Sequence, residues 1–493
     1  MKPIIRFVSL FLTVVLLLSF TACGDNSDAY IYFQLEEVPQ TLDPQTAKTD
    51  IELLISQNLY EGLMRFDDKG KLTYGVAKSY KKQGLTYTFT LRDDAKWKDG
   101  TKLTAYDFEF ALSRALSFDT KAPYASLLYS IKNGKAIASG DLIQLDLGVK
   151  AIDEKTLTIE LEYDDPDFLN ILAHPVAMPC NKEFFISCKG KYGLDTDFTL
   201  SNGSYRLAKW GKEIFGIRLY RNKEYTGSFT AKNAAVFISY NKDLTAAAAL
   251  SNGDADIAYI KPADIDELKK NGFQTASSQN TVWFLTLSPE LPVSIRKAFA
   301  ILSSGEVFAS SLPNGASLAN SVFPPSLSTN VGATGMLTYD VETAKILYSD
   351  TIKTLPDKKL PSDIKLYFYD NGFSKNAVTS IVGHWQNNLG AFINIETVSS
   401  AKVLESQIIN RDYYMAIFPI TASTPSTSEY LSKFGVNYTE GDLSSMQSEL
   451  LADFTRIPLF YESKTLSYSS AISNVIIQNG MSLDFAFIEK VED

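Results

Sequence analysis

The segment 87–116 constrains the fold of this chain more than any other stretch of similar length. Apolar and polar residues alternate over 87–92, with the period of two that is typical of a half-buried strand. Asp99 is followed directly by Gly100 at the end of 97–100, which indicates a tight turn. Thr104 stands three residues before Asp107, a capping-box pattern that predicts a helix start. The apolar residues that follow at helical spacing, and predict its buried face, are Ala105, Phe108, Leu112 and Ala115.

The N-terminus has the pattern of an export signal. Lys2 and Arg6 precede an apolar run at 7–22, which is shorter than the roughly 20 residues that span a bilayer. Small residues precede Cys23, as in a bacterial lipobox, although ordinary signal cleavage is the alternative. We therefore predict a signal peptide at 1–22 and lipidation of Cys23. The mature chain is expected on the outer face of the bacterial cytoplasmic membrane, held by its lipid anchor.

Composition and charge exclude several classes of protein. Removing the signal segment takes away two basic residues and no acid, so the net charge moves from −10 to −12. An acidic chain without a basic run argues against a nucleic-acid partner. With 45% hydrophobic and 21% charged residues the chain is globular, not disordered. At 493 residues it is expected to form two or three lobes instead of one core.

Cysteine and histidine are both scarce. Besides Cys23 the chain has only Cys180 and Cys188, which either form a short-loop disulfide in an oxidising compartment or remain two buried thiols. The two histidines, His174 and His384, are not at ligand spacing with them. We therefore expect no metal site and no cofactor.

Short motifs in a consistent order resemble the family 5 extracellular solute-binding proteins, the oligopeptide- and dipeptide-binding group of ABC importers. The segment 87–116 is similar to the signature of that family. Each further motif is short, but together they extend over nearly the whole mature chain. They lie at 38–44, 58–63, 131–134, 147–161, 202–205, 253–257, 294–299, 323–325 and 457–461.

The resemblance implies an α/β fold of the periplasmic-binding-protein-like type II class, with two α/β lobes, a hinge cleft and an extra lobe. Lobe I would comprise 28–49, 165–245 and 460–493. The extra lobe II would be 50–164, and lobe III 246–459. A chain that leaves a lobe and returns to it suits a hinge, because its crossings can absorb rotation while each core stays packed.

The implied function is that of a lipid-anchored, monomeric binding protein. It would capture oligopeptides or peptide-like solutes in the interlobe cleft and deliver them to the permease subunits of an ABC transporter. The alternative keeps the fold and changes the ligand, as in a metallophore-binding, sensing or chaperone-like lipoprotein. A surface hydrolase is disfavoured, because the sequence lacks G-x-S-x-G, H-E-x-x-H and a phosphate-binding loop.

The resemblance also points to residues that contact the ligand. In the family an acidic residue meets the α-ammonium of the peptide, but here Ser423 stands at that position, unless the alignment shifts within its Ser/Thr-rich loop. A hydroxyl accepts a hydrogen bond but cannot neutralise an ammonium. Either the ligand lacks a free amino terminus, or Glu36, Glu37 or Glu429 meets it. Tyr124 resembles a family tyrosine that contacts peptide, and packing within its own lobe is the alternative.

Overall fold

The structure is a computed structural model of the chain. It describes residues 29–35, 37–211, 216–241, 243–303, 305–327, 329, 331–361, 364–370, 375–424, 426–436, 438, 441–478 and 482–491. The signal segment at 1–22, Cys23 and Glu36 lie outside the described residues, so what the sequence predicts for them stays a prediction.

Strands and helices alternate along the described chain. The strands are β1 Tyr30–Leu35, β2 Met64–Phe66, β3 Leu72–Tyr74, β4 Ala77–Gln83, β5 Thr86–Leu91, β6 Val149–Ala151, β7 Thr156–Glu160, β8 Tyr205–Gly211, β9 Gly216–Arg221, β10 Ala235–Tyr240, β11 Ile257–Ile260, β12 Gln274–Leu287, β13 Ser317–Leu318, β14 Lys365–Tyr369, β15 Asn394–Val398, β16 Met415–Thr421, β17 Arg456–Tyr468, β18 Ile472–Ser473, β19 Ile477–Gln478, β20 Ser482–Leu483 and β21 Glu489–Lys490. The helices are α1 Asp50–Leu59, α2 Ala105–Ala115, α3 Gly134–Ser139, α4 Phe168–Ile171, α5 Lys182–Ser187, α6 Ala246–Asn252, α7 Ile265–Lys270, α8 Val293–Leu302, α9 Val341–Ile352, α10 Lys375–Leu389, α11 Ala401–Ile409, α12 Thr427–Ser432 and α13 Leu443–Leu451.

The strand, turn and helix predicted at 87–116 are confirmed as β5 and α2. The backbone N–H of Thr104 donates to the Asp107 carboxylate over 2.7 Å, which fixes the start of α2. Phe108 and Leu112 on the predicted face are fully buried. They pack beneath a four-stranded antiparallel sheet whose order is β4-β5-β7-β6.

One large mixed sheet organises the rest of the molecule. Its strand order is β15-β14-β16-β12-β17-β11-β1-β10-β9-β8, with β13 added beside β17. Pairing is parallel between β1 and both β10 and β11, and between β14 and both β15 and β16. The two long strands, β12 with 14 residues and β17 with 13, lie antiparallel to each other between these groups. They therefore join two ends of the sheet, which we call the β1 end and the β14 end.

Each end of the sheet has its own buried core. At the β1 end, Phe33 and Phe485 pack edge to face, and the same core continues to Phe89 in the four-stranded sheet. Lobes I and II of the sequence prediction therefore share one core. At the β14 end, Trp283 and Trp385 belong to a separate cluster of buried side chains. A shift in the β12–β17 register between Gln279 and Thr281 marks the crossing from one end to the other.

Strand pairing joins part of the segment predicted as lobe III to the β1 end. β11 falls in the segment 246–459 that the sequence assigns to lobe III, but it pairs with β1 through Phe33 with Ile257 and Gln34 with Ala258. Helices α6 and α7 pack against it in a small core of their own. The chain crosses to the β14 end only later, in β12, and the predicted boundary at residue 246 precedes that crossing. The division into three lobes itself stays a prediction.

The last described residues complete the core at the β1 end. The side-chain amide of Asn58 donates to the Leu483 carbonyl over 2.9 Å and accepts from the Phe485 N–H over 2.8 Å. Asn233 donates to the Ile488 carbonyl over 2.6 Å. Buried amides that bond to backbone in this way fix the segment in place, because leaving these groups unpaired would cost free energy.

Cys180 and Cys188 are free thiols, and both are buried. The sequence left two alternatives, a disulfide or two buried thiols, and the structure contains the two thiols. Helix α5 lies between them in the chain, and both thiols belong to one small buried cluster. Over the described ranges no helix is both long and apolar enough to cross a membrane, and no group of three His, Cys, Asp or Glu side chains is placed to hold a metal.

Candidate functional site

The candidate site lies where β1 ends, α1 begins and β16 leads into α12. Three of the residues selected from the sequence meet there: Tyr124, Ser423 and Glu429 interact with one another although they are far apart in the chain. Asp50 at the start of α1 belongs to the same group. Glu37 lines a cavity beside it. The residues therefore come from both ends of the sheet.

One buried carboxylate fixes the chain between β1 and α1. Glu52 accepts hydrogen bonds from the backbone N–H groups of Gln40 over 2.8 Å, Lys48 over 2.9 Å and Thr49 over 3.1 Å. Thr49 in turn caps α1 by accepting from the Glu52 N–H over 3.3 Å. A fully buried charge is tolerated when several donors surround it. The start of α1, which carries Asp50, is therefore held rigidly.

A first cavity of about 360 Å³ opens beside α1 and β11. Lys464 of β17 donates to Asp50 over 2.7 Å and lies 4.4 Å from the centre of the Tyr259 ring. Burial opposes the charge on Lys464, but Tyr259 and Asp50 outweigh it and raise the pKa of the lysine. The lining residues are Gln34, Leu35, Glu37, Thr49, Asp50, Ile51, Leu54, Tyr259, Ile260, Lys261 and Lys464.

Of the carboxylates that the sequence suggested as ligand contacts, Glu37 is exposed and lines this first cavity. Among the described side chains it takes part in no ion pair. Lys261 lines the same cavity. Besides the Asp50–Lys464 pair, the cavity thus offers the acidic Glu37 and the basic Lys261 to a ligand, together with the apolar surface of Leu35 and Leu54.

Tyr124 forms the wall of the site on the side of the four-stranded sheet. Its ring lies 4.9 Å from that of His174, at an interplanar angle of 56°. The pKa of Tyr124 is raised to about 12, mainly by burial and also by the Asp50 and Glu429 carboxylates, while a hydrogen bond with Ser423 opposes the rise. Tyr124 is therefore a neutral hydroxyl that faces Ser423, and it is not solely a packing residue of its own lobe.

His174 lies behind Tyr124 and is neutral. Its Nδ1 accepts a hydrogen bond from the Val176 N–H over 3.1 Å, and burial lowers its pKa to about 3. Nε2 then carries the proton, and among the described residues it has no hydrogen-bond partner. Tyr124 and His174 therefore form a packed aromatic wall and not a proton-transfer relay.

Ser423 and Glu429 are both held by a lysine on the opposite wall. The Lys433 ammonium donates to the Ser423 hydroxyl over 3.2 Å and to the Thr421 carbonyl over 2.6 Å. It also pairs with Glu429 over 2.9 Å, at the i,i+4 spacing of a helix. The second carboxylate oxygen of Glu429 is shielded from solvent and has no partner among the described residues.

A second cavity of about 440 Å³ lies on the other side of this group. The two walls touch beside it, because the Thr427 N–H at the start of α12 donates to Asp167 over 2.8 Å. Burial raises the pKa of Asp165 in its wall. The lining residues are Ser126, Leu127, Tyr129, Lys135, Tyr163, Asp165, Ile171, Ser426, Ser428, Glu429, Ser432, Val436 and Tyr438.

Sequence reasoning missed Asp50, Lys433 and Lys464. Only one of them had a local signal: Lys433 follows Glu429 by four residues, a spacing that predicts an ion pair if the segment is helical. The Asp50–Lys464 pair joins residues more than 400 positions apart, and no pattern in the sequence connects them.

Comparison with known proteins identifies a family model and several similar proteins. A family model described as bacterial extracellular solute-binding proteins, family 5 Middle, matches residues 71–442. The dipeptide-binding protein of Lactococcus lactis subsp. cremoris is 28% identical over 456 residues, 86% of this chain and 82% of that protein. The oligopeptide-binding protein OppA of Bacillus subtilis is 26% identical over 442 residues, 84% and 81% of the two chains. The structure of Haemophilus influenzae OppA in complex with RPPGFSPFR superposes with a TM-score of 0.74 at 21% identity, covering 94% and 99%.

The fold is of the type II periplasmic-binding-protein-like class. Its mixed sheet has two ends with a cleft between them, and 94% of the chain superposes on the OppA structure. This confirms the fold class predicted from the sequence. The chain belongs to the bacterial extracellular solute-binding proteins of family 5, as its motifs indicated. That family consists of extracellular binding proteins and is not a family of enzymes.

Proposed function

We propose that this protein captures peptides or peptide-like solutes in the cleft between the β1 and β14 ends of its sheet. The observation that carries the proposal is the meeting of Tyr124, Ser423 and Glu429 between two cavities of about 360 and 440 Å³. Volumes in this range are typical of ligand sites. The peptide ligands named for the relatives support the same class of solute.

Binding is coupled to movement of the two ends. Thr427 with Asp167, and Ser423 with Tyr124, already link the two walls, so the structure is that of a closed or nearly closed cleft. A ligand that bonds to both walls favours this state by its differential affinity for it. The register shift in the long strands near Gln279 is the proposed hinge, since few other connections cross there.

The test is binding of synthetic peptides to the soluble chain that begins at Gly24, measured by native mass spectrometry and calorimetry. Tyr124→Ala should weaken binding at least about tenfold, because it removes a buried aromatic wall of the site. Tyr74→Ala is the matched control, since Tyr74 is a largely exposed tyrosine of β3. Absence of any peptide binding, or equal loss in both variants, would refute the proposal.

We further propose that a lipid on Cys23 anchors the protein outside the cytoplasmic membrane, where it passes its ligand to an ABC permease as a monomer. The small residues before Cys23 support the anchor, and membership of the family supports the transport role. Replacing Cys23 with Ala should release the protein from the membrane fraction and abolish acyl labelling. Retention of labelled protein in the membrane fraction would contradict the assignment.

A further inference from the structure

The ammonium of Lys433 is saturated with hydrogen bonds inside the cleft. Its three acceptors are the Thr421 carbonyl at 2.6 Å, the Ser423 hydroxyl at 3.2 Å and the Glu429 carboxylate at 2.9 Å. An ammonium has three N–H donors, so each donor has an acceptor. Two neutral oxygens and one carboxylate thus satisfy the ammonium, although the Lys433 side chain stays 31% exposed.

Secondary structure holds this arrangement in place. The Ser426 hydroxyl caps α12 by accepting from the Glu429 N–H over 3.1 Å, and Lys433 follows one turn later. Thr421 ends β16, and its hydroxyl hydrogen-bonds that of Thr281 in β12 over 2.8 Å. The oxygens that accept from Lys433 are therefore positioned by secondary structure.

The same oxygens face the ligand cavities. Glu429 lines the second cavity, and Ser423 faces Tyr124 on the opposite wall. Asp50, another carboxylate that interacts with Tyr124, is already paired with Lys464. Glu52, the third, is held by backbone N–H groups. Asp50 and Glu429, the two carboxylates nearest the cavities, are thus each paired with a lysine of the protein.

We propose that Lys433 acts as a built-in ammonium group, so that the ligand presents an uncharged end here, as an N-acylated peptide does. This inference rests on the proposed peptide-binding function and names the class of peptide. A free α-ammonium in this position would approach Lys433 without a carboxylate of its own, and the two like charges would repel in a partly desolvated site. A neutral amide avoids that repulsion and can still use the hydroxyl of Ser423.

The test compares one set of mixed-sequence synthetic peptides in two forms, with a free amino terminus and N-acetylated. Calorimetry on matched pairs should give at least about tenfold tighter binding of the acetylated form, because the free form brings an unpaired charge into the site. Lys433→Met should reverse this preference, since Glu429 then becomes an unpaired carboxylate. Lys433→Arg, which keeps the charge, should retain it.

Lys353→Met is the matched control, because Lys353 forms a one-turn ion pair with Asp350 on an exposed helix and should leave both affinities unchanged. Preference of the native protein for free peptides, unaltered in Lys433→Met, would overturn the inference and leave peptide binding intact; Glu37 would then be the acid that meets the ammonium. If neither form binds, the proposed function falls and this inference with it.

Discussion

Replacing Glu61 by Gln should destabilise the protein strongly while changing its shape little. The Glu61 carboxylate is 3% exposed and accepts from Arg65 over 2.9 Å, Arg92 over 3.1 Å and the Tyr225 hydroxyl over 2.5 Å. Arg65 also pairs with the buried Asp484 over 2.7 Å. The network ties the segment after α1 to the strands and the final turn at the β1 end.

The size of the effect follows from the charges. Both guanidinium groups share the buried Glu61, whereas among the described residues Asp484 pairs only with Arg65 and the exposed Asp94 only with Arg92, so Glu61→Gln removes the negative charge that lies between the two arginines. Removing one partner of a buried pair costs about 3–5 kcal/mol, and the lower value applies here because both arginines keep some exposure to water. With a urea dependence of about 3 kcal/mol per molar, the unfolding midpoint should fall by about 1 M.

The assay is urea unfolding followed by tryptophan fluorescence, with Glu160→Gln as the control. Glu160 pairs with Lys132 on the surface of the four-stranded sheet, and both side chains are nearly half exposed. Solvent screens such a pair, so its loss should scarcely move the midpoint. Equal midpoints for the two variants would refute the view that Glu61 carries a structural charge network.

Two further predictions concern protonation and thiol state. His174 is held neutral by burial, which lowers its pKa from 6.5 to about 3. The stability it contributes is therefore present above pH 6.5 and is lost as the pH falls toward 3, by about 1.4 kcal/mol per unit at most. His174→Asn should flatten that part of an acid-unfolding curve, whereas His384→Asn should flatten it much less, because His384 is only partly buried although burial also lowers its pKa. Identical curves for the two variants would refute the assignment. Burial raises the pKa of Cys180 to about 12 and also raises that of Cys188. A thiol reagent near neutral pH should therefore label Cys180 and Cys188 only after the protein is unfolded. If the protein is unfolded without reductant and neither cysteine is labelled, the two form a disulfide.

Local patterns predicted local structure well. The alternation at 87–92 became β5, and the Thr104–Asp107 spacing became the start of α2, because both signals depend only on residues a few positions apart. The family motifs extended this to the fold class. Of the residues selected from the sequence as ligand contacts, Tyr124 lies near both Ser423 and Glu429, and their contact with a ligand stays a prediction.

Long-range pairing could not be predicted in the same way. β11 pairs with β1 across more than 200 residues, and nothing in its four apolar residues specifies that partner. The role of Ser423 was equally hidden, because the lysine that contacts it lies ten residues further on, beyond a helix whose length the sequence did not fix. Such contacts depend on how elements are positioned in space, which periodicity does not encode.

The position of β17 has a consequence for how the molecule is made. This strand lies between β12 and β11 in the middle of the sheet order, yet it follows every other strand of the sheet in the chain. The residues after it, from Leu483 to Ile488, complete the core at the β1 end. The β1 end therefore stays incomplete until this segment joins it, so residues more than 400 positions apart in the chain must meet before its core closes.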